Sequence, residues 1–216
     1  MSRDHVLSKV RTALGRSSGQ PPPPIFPPML KIPQVALETR VTEFIRHFEN
    51  LAGKAFRVPT MEAARARVAD LLENRTAVAS NSPYLSECGI MSLTSVQSGI
   101  TNVHELSAAC ARAGAGITSA DYALSATGTL IMLASPREAR LISLLPPLHI
   151  AVIPSSAILT SLDELFTILP LPAEQTSSMV MITGPSRTAD IEQILVRGVH
   201  GPGEIRVVIV DNVTAS

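Results

Sequence analysis

The stretch Met179–Glu192, M-V-M-I-T-G-P-S-R-T-A-D-I-E, decides the interpretation of the fold. Met179–Thr183 is a short apolar run that ends in a β-branched residue, which favours a strand buried on both faces, as in parallel sheets. Gly184 and Pro185 then break the chain. The next residues carry the helix-start signals Ser, Thr and Asp, and an apolar stripe follows them. The stretch therefore predicts a strand, a tight turn and the N-terminus of a helix.

The predicted turn has the features of an anion-binding site. Free backbone N–H groups and the helix dipole converge at such a helix N-terminus. Arg187 adds a positive fork that matches a carboxylate or a phosphate. A capped turn that binds nothing is the structural alternative, and it stays open. The candidate contacts to a small anionic ligand at this turn are Thr183, Gly184, Ser186, Arg187 and Thr188.

The composition is that of a globular domain with an aliphatic core. Apolar residues make up 45% of the 216 residues, charged residues 17% and aromatic residues 3%. This length is enough for one domain with a substantial core, or for one domain plus an appendage. Basic and acidic residues balance, so the formal net charge is zero. The charge balance therefore favours neither nucleic acid nor an anionic membrane as a partner.

The chain contains two cysteines, Cys88 and Cys110. Two thiols cannot hold an iron–sulfur cluster of the usual four-cysteine kind, so we expect this chain to bind no cofactor and no metal. Buried thiols in a reducing compartment are the expected state. Because no apolar run is long enough to span a membrane and no signal-peptide core is present, we expect a cytoplasmic location.

Three segments are predicted along the chain. These are a helical arm over residues 1–14, a proline-rich linker over residues 15–32 and an α/β domain over residues 33–216. The arm has one apolar face, and six prolines between Gly15 and Pro28 stiffen the linker. Strand and helix patterns alternate in the domain, which favours α/β architecture with an open, mostly parallel sheet flanked by helices.

The predicted elements of the domain follow from periodicity and capping signals. Helices are predicted at Val35–Leu51, Met61–Glu73 and Val103–Ala113, and from Ser161 to Ile168. Strands are predicted at Ala55–Val58, Ala77–Ser80, Ala115–Thr118, Arg140–Leu144, Ile150–Ile153 and Ile205–Val210. A bent hairpin is predicted from Asp121 to Ala134, with its turn at Thr127–Thr129.

Five ordered segments of the C-terminal half resemble the lactate-utilisation protein C family, whose members are also called LUD-domain proteins. The segments are G-I-T-S-A-D-Y-A-L (116–124), T-G-T-L (127–130), R-L-I-S-L-L-P-P-L-H-I (140–150), I-T-G-P-S-R-T-A-D-I-E (182–192) and G-V-H-G-P (198–202). Their order and length make the resemblance specific. It implies the open α/β fold shared with sugar-phosphate isomerases, CoA transferases and 5-formyltetrahydrofolate cyclo-ligase.

The resemblance also implies a process, the oxidation of L-lactate to pyruvate by a system of three components. In that family the partner subunits carry the iron–sulfur clusters, so the expected partners are iron–sulfur subunits and a small anionic ligand. One departure concerns Ala126, because the family usually has a glutamate directly before T-G-T. If that carboxylate serves acid–base chemistry, this chain has lost it.

Further candidate ligand contacts lie outside the turn that follows Met179–Thr183. Ligands in open α/β sheets collect at the carboxyl ends of strands, and we expect these residues to face that crevice. Each also has a structural alternative as a core histidine, a cap or a tight turn. These candidates are Asp121, Thr127, Gly128, Thr129, His149 and His200.

Functions of different classes remain open. The first is a non-cluster subunit of an L-lactate-oxidising complex, not redox-active alone, which binds a small anion or positions its partners. The second is a stand-alone transferase or ligase that uses the crevice on a phosphorylated or CoA-linked substrate. The third is a degenerate regulatory binder, which the alanine at position 126 suggests.

Overall fold

The computed structural model describes residues 2–17, 21, 32–189, 195–197 and 201–211. The chain divides into two compact units, Met1–Leu30 and Lys31–Ser216. The first unit contains one amphipathic helix whose Val6 and Val10 side chains are exposed. The second unit contains all the strands of the described residues, arranged in three sheets.

The helices of the described residues begin at the expected capping positions in several cases. They are α1 (Arg3–Ala13), α2 (Leu37–Asn50), α3 (Met61–Leu72), α4 (Pro83–Glu87), α5 (Val103–Arg112), α6 (Arg140–Leu144), α7 (Leu162–Ile168) and α8 (Pro172–Gln175). Thr60 caps α3 by accepting the Ala63 N–H, and Asn102 caps α5. None of the helices in the described part of the chain has the length and apolarity needed to cross a membrane.

The strands are short and rich in β-branched residues. They are β1 (Lys54–Val58), β2 (Ala77–Ala79), β3 (Val96–Gln97), β4 (Ala115–Ser119), β5 (Tyr122–Leu124), β6 (Thr129–Leu133), β7 (Leu148–Pro154), β8 (Ile158–Leu159), β9 (Met179–Ile182), β10 (Arg187–Ala189), β11 (Leu195–Arg197) and β12 (Glu204–Val210).

The main sheet has six strands in the order β1-β12-β7-β4-β2-β3, and every pair is parallel. Its interior strands β7 and β12 are mostly apolar and buried on both faces, as expected for a parallel sheet covered on each side. One face packs against α3 and α4, and part of the other face packs against α5 and α6. The prediction of an open parallel sheet flanked by helices is confirmed.

A second sheet covers the rest of that other face. Its four strands have the order β8-β5-β6-β9, and β6 pairs antiparallel with both β5 and β9. Apolar side chains of this sheet and of α2 bury against β7 and β12, and Phe44 stacks on Phe48 within that core. The predicted hairpin around Thr127–Thr129 is confirmed as β5 and β6. The small third sheet is the antiparallel pair β10-β11.

Two predictions from the opening stretch are wrong. Met179–Ile182 is a strand, but it lies at the edge of the four-stranded sheet, antiparallel to β6, and Met181 is 43% exposed. An apolar run alone does not distinguish an edge strand from a buried parallel one. The helix predicted to begin at Ser186–Thr188 is instead strand β10, because residues 187–189 pair with Leu195–Arg197. Strand pairing has overridden the capping signals there.

The strand predicted at Arg140–Leu144 is also wrong, because this segment forms helix α6. A five-residue apolar run fits one helical turn as well as a short strand. Gly116 of β4 explains why the helix packs closely. A Cβ atom at Gly116 would collide with the backbone carbonyl of Ile142, so only glycine lets α6 lie against the strand.

Candidate functional site

Three serines and one glutamate meet where β2 and β4 end. Ser80 directly follows β2, Ser119 is the last residue of β4, and these two strands are parallel neighbours. Ser80 Oγ donates a hydrogen bond to Glu138 Oε2 at 2.9 Å, and Ser119 Oγ lies 3.1 Å from the same oxygen. Ser82 Oγ lies 2.8 Å from Ser119 Oγ. We call Ser80, Ser82, Ser119 and Glu138 the serine–glutamate cluster.

The cluster can relay a proton, because each hydroxyl group has one hydrogen to donate. Ser119 can donate either to Ser82 or to Glu138 at any moment. When it donates to Glu138, the hydroxyl of Ser82 must supply the hydrogen in the Ser82–Ser119 pair. The four side chains therefore form one connected network in which a change of protonation at Glu138 alters the other bonds.

The carboxyl group of Glu138 is buried and only half satisfied. The residue is 7% exposed, and Oε1 has no hydrogen-bond partner among the described residues. An unsatisfied buried polar atom costs about 1–3 kcal/mol, so it calls for a ligand, a water or a proton-dependent role. Burial raises the pKa of Glu138 to about 7, against the lowering effect of the bonds from Ser80 and Ser119. The charge of Asp121 also raises this pKa.

Backbone contacts hold Glu138 in place ahead of α6. Ser135 Oγ accepts hydrogen bonds from the backbone N–H groups of Arg137 and Glu138, at 3.2 and 3.0 Å. The Arg137 carbonyl accepts the backbone N–H of Asn81 at 2.9 Å, which ties this turn to the segment after β2. The close packing of α6 on Gly116 fixes the other side of the turn. Glu138 is thus positioned by its own turn, by the segment after β2 and by the packing of α6 on β4.

Beside Glu138 lies an open cleft of about 520 Å³ between two loops. Glu138 and Arg140 line one wall, and Gln175–Ser177 line the other. Arg140 Nη1 donates to Ser178 Oγ at 3.2 Å, and within the described part of the chain Arg140 forms no ion pair. The cleft therefore combines a cation without an acidic partner, a proton-exchanging carboxyl group and several hydroxyl groups.

Asp121 lies at the same edge of the molecule as the serine–glutamate cluster. Its carboxylate accepts the backbone N–H of Leu133 at 2.7 Å, which closes the open end of the β5–β6 hairpin. Partial desolvation of its carboxylate raises the pKa of Asp121 above its usual value, although the residue as a whole is exposed, and the bond from Leu133 opposes that shift. The structure thus brings this predicted residue close enough to act on Glu138 through its charge.

The Thr127–Thr129 turn lies at the opposite end of the same hairpin. Thr127 Oγ1 is 2.7 Å from Thr129 Oγ1, which is 3.1 Å from Thr183 Oγ1, so three predicted residues do meet. Gly128 has a φ of +63°, and a Cβ there would lie 2.5 Å from the Phe48 backbone nitrogen of α2. These contacts pack the turn against α2.

This threonine end lies on the amino side of the main sheet. Gly184 sits against Leu51, which precedes β1, and a Cβ at Gly184 would be 3.1 Å from the Leu51 carbonyl oxygen. The Ser186 backbone N–H donates at 2.9 Å to the carbonyl of Pro202, which precedes β12. Ligand crevices in open α/β sheets form at the carboxyl ends of strands, where the serine–glutamate cluster lies.

His149 is a core residue. It is fully buried near the start of β7, and its Nε2 lies 2.8 Å from Thr118 Oγ1. Burial lowers the pKa of His149 to about 4, so the ring is neutral at physiological pH. Nδ1 has no hydrogen-bond partner among the described residues. The structure therefore places this side chain between the two sheets, away from the cleft beside Glu138.

Three predicted ligand contacts fall on parts of the chain outside the description. The side chains of Arg187 and Thr188 lie outside the described residues, as does all of His200. Anion binding by these residues stays a prediction, although the backbone at residues 187–189 is a strand and not a helix N-terminus.

Both cysteines are buried and unpaired. Burial raises the pKa of the Cys88 thiol to about 11, and it also raises the pKa of the Cys110 thiol. Both thiols are therefore protonated at neutral pH and inert as nucleophiles. Within the described ranges, no group of three or more His, Cys, Asp or Glu side chains is placed to hold a metal ion.

Sequence reasoning missed the serine–glutamate cluster, although part of its signal was present. Ser80 and Ser119 each stand at the end of a predicted strand of a parallel sheet, which is the position where ligand contacts are expected. Glu138 had no such signal, because it precedes a segment that was interpreted as a strand. Its position depends on α6 being a helix.

Comparison with known proteins identifies the family. A family model described as the LUD domain matches residues 41–210. The chain belongs to the LUD-domain family. A protein from Deinococcus radiodurans, described as a DUF162 family member, has a similar fold in its crystal structure, with a TM-score of 0.67 at 21% identity. That similarity covers 82% of this chain and 99% of the other, and it supports the fold.

Several relatives of this LUD protein carry the name lactate utilization protein C. The protein from Halalkalibacterium halodurans is 32% identical over 167 residues, covering 74% of this chain and 73% of the relative. Those from Macrococcus caseolyticus and an Exiguobacterium species are 37% and 40% identical over 112 and 103 residues. In these two the match spans about half of each protein, 46% and 45% of their lengths.

Proposed function

We propose that this LUD protein acts in lactate utilisation as a non-cluster component of a system that oxidises L-lactate to pyruvate. The observation that carries the proposal is the match to a protein named lactate utilization protein C over about three quarters of both chains. In this role the chain binds a small anionic ligand or positions iron–sulfur partner subunits. The sequence has only two cysteines, so the clusters of such a system would belong to the partners.

The first test is genetic. Deleting the gene in its own organism should abolish or strongly slow growth on L-lactate as sole carbon source, while growth on pyruvate stays normal. A plasmid copy of the intact gene should restore growth. Unimpaired growth of the deletion strain on L-lactate would overturn the proposed role.

The second test concerns partners. The full-length chain carrying an affinity tag should retain iron–sulfur proteins when it is purified anaerobically from cells grown on L-lactate. The retained proteins should be rich in cysteine and should carry the visible absorbance of the clusters. Recovery of the chain alone, with turnover of a phosphorylated or CoA-linked substrate, would favour the stand-alone transferase or ligase instead.

A further inference from the structure

We propose that the cleft beside Glu138 binds the carboxylate of a small 2-hydroxy or 2-oxo acid. In this site Arg140 pairs with the carboxylate, and the protonated carboxyl group of Glu138 donates a hydrogen bond through Oε1. That bond is made directly or through one bridging water. The inference rests on the proposed role in lactate utilisation for its choice of ligand, and on the geometry of the cleft for its location.

The hydrogen bonds of Glu138 decide which oxygen carries the proton. Oε2 already accepts from Ser80 and lies within hydrogen-bond distance of Ser119, whereas Oε1 has no partner among the described residues. In the free protein a proton on Oε2 can be donated to Ser119 Oγ, which then donates to Ser82. A ligand or water in the cleft gives Oε1 an acceptor, and Ser80 and Ser119 can then both donate to Oε2, so in the complex the proton sits on Oε1.

The charges around the cleft favour a single small anion. Arg140 lines the cleft and, within the described ranges, has no acidic partner to neutralise it. Asp121 at the end of the hairpin is the charged group that acts on the Glu138 carboxyl group. Arg137 and Arg140 flank Glu138 in the chain, and Glu174 directly precedes the loop wall of Gln175–Ser177. The segment from Ser80 to Ser82 and the loop wall of Gln175–Ser177 contribute hydroxyl and amide groups without charge.

Binding in this site must be coupled to proton uptake. An anion placed beside an ionised Glu138 is repelled, whereas the protonated form accepts it, so the complex retains the proton. Burial raises the pKa of Glu138 to about 7 in the free protein, so about half of the molecules take up a proton on binding at that pH. Above that pH the affinity should fall about tenfold for each further pH unit.

The test is calorimetric titration of the full-length chain with L-lactate, pyruvate and acetate, from pH 6 to 9. At pH 7 two buffers of different ionisation enthalpy measure the protons taken up. Lactamide, which lacks the carboxylate, should not bind. Absence of binding by all three acids at pH 6, or binding without proton uptake and without pH dependence, would overturn the proposal.

Single substitutions separate the contribution of Glu138 to binding from that of Arg140. Glu138→Gln keeps a hydrogen-bond donor at the same place, so binding should persist while proton uptake and the pH dependence disappear. Ser80→Ala removes a donor that favours the carboxylate form, so the pH at which affinity begins to fall should move upwards. Arg140→Ala should weaken binding about ten- to a hundredfold and leave the proton uptake intact. An unchanged pH dependence in both Glu138→Gln and Ser80→Ala would overturn the role of Glu138.

The exposed residue Glu49 provides a matched control, since Glu49→Gln makes the same chemical change on α2. It should leave both affinity and proton uptake unchanged, and circular dichroism confirms folding of each variant.

Growth tests keep this inference distinct from the proposed function. If the deletion strain fails on L-lactate, but Arg140→Ala restores growth fully and does not weaken calorimetric binding, the proposed function stands and the cleft proposal fails. If the strain grows normally, the proposed function fails, and calorimetry alone tests whether the cleft binds the carboxylate.

Discussion

Ser119 Oγ lies 3.1 Å from Glu138 Oε2, which joins the end of a parallel strand to the turn before α6. The contact brings a hydroxyl at the carboxyl edge of the sheet to a carboxyl group that is almost completely buried. The serine hydroxyl stabilises the ionised form of Glu138, and burial opposes that form more strongly. The balance leaves a carboxyl group that changes protonation near neutral pH.

This balance predicts that Glu138 makes the unfolding free energy pH-dependent. Its folded-state pKa of about 7 lies above the ordinary value of 4.5, so the folded protein retains a proton that the unfolded chain loses between these pH values. The stability contribution is therefore fully present below about pH 4.5 and is lost as the pH rises through 7, by about 3 kcal/mol. Urea unfolding of the wild type and Glu138→Gln at pH 5 and pH 8 should show the glutamine variant relatively more stable at pH 8.

The exposed Glu49 again gives the control, because Glu49→Gln should change stability by a similar amount at both pH values. A Glu138→Gln difference that is the same at pH 5 and pH 8 would mean that Glu138 is already ionised throughout this range. The protonated-donor role of Oε1 would then be excluded as well.

His149 predicts a pH dependence of the opposite sign. Burial lowers its folded-state pKa to about 4 from 6.5, so the unfolded chain gains a proton first as the pH falls. Stability from the neutral ring is present above about pH 6.5 and is lost as the pH falls through 4, by about 3 kcal/mol. His149→Leu should therefore lose less stability than the wild type between pH 7 and pH 4 in chemical unfolding experiments. His104→Leu on the exposed face of α5 is the matched control and should follow the wild type.

Much of the architecture could be predicted from sequence because the signals were local and repeated. Apolar runs flanked by capping residues predicted the main helices and the strands of the parallel sheet, and Thr60 caps α3 as expected. The five segments that resemble the LUD family predicted the fold class and the family. These signals depend on neighbouring residues alone, or on a pattern long enough to be specific.

The site was less predictable because it depends on contacts between distant segments. The strand after Met179 joins the second sheet and not the main one, which a local apolar run cannot reveal. Glu138 reaches Ser80 across 58 residues of sequence, and the packing of α6 on Gly116 and the bond from Asn81 N–H to the Arg137 carbonyl bring them together. Local patterns therefore pointed to the threonine turn, whereas tertiary packing created the serine–glutamate cluster.

The close approach of the Thr127–Thr129 turn to α2 predicts a severe effect of Gly128→Ala. The added Cβ would lie 2.5 Å from the backbone nitrogen of Phe48, and the φ of +63° is strained for alanine. The steric collision with α2 and the backbone strain together should destabilise the protein by roughly 2–4 kcal/mol. Gly99→Ala has a similar positive φ of +79° and no atom within 4 Å of the new Cβ, so it should show the backbone strain alone. Equal losses in the two variants would mean that the turn does not pack on α2.

Ala126 gives the last prediction, because the resemblance to the LUD family implies a glutamate at this position. The Ala126 side chain is exposed in the turn between β5 and β6, and its backbone N–H donates to the carbonyl of Thr160. Asp121 and the serine–glutamate cluster lie at the other end of that hairpin, roughly 10 Å or more away at the usual rise per residue. Ala126→Glu should therefore change the unfolding free energy by no more than about 0.5 kcal/mol and leave the affinity for L-lactate unchanged.

Calorimetry and urea unfolding check both expectations, and Ala126→Gln separates the effect of charge from that of size. A change in affinity caused by the glutamate and not by the glutamine would place a ligand carboxylate near the threonine turn. A loss of growth on L-lactate with unchanged affinity would instead assign the turn to contact with a partner subunit.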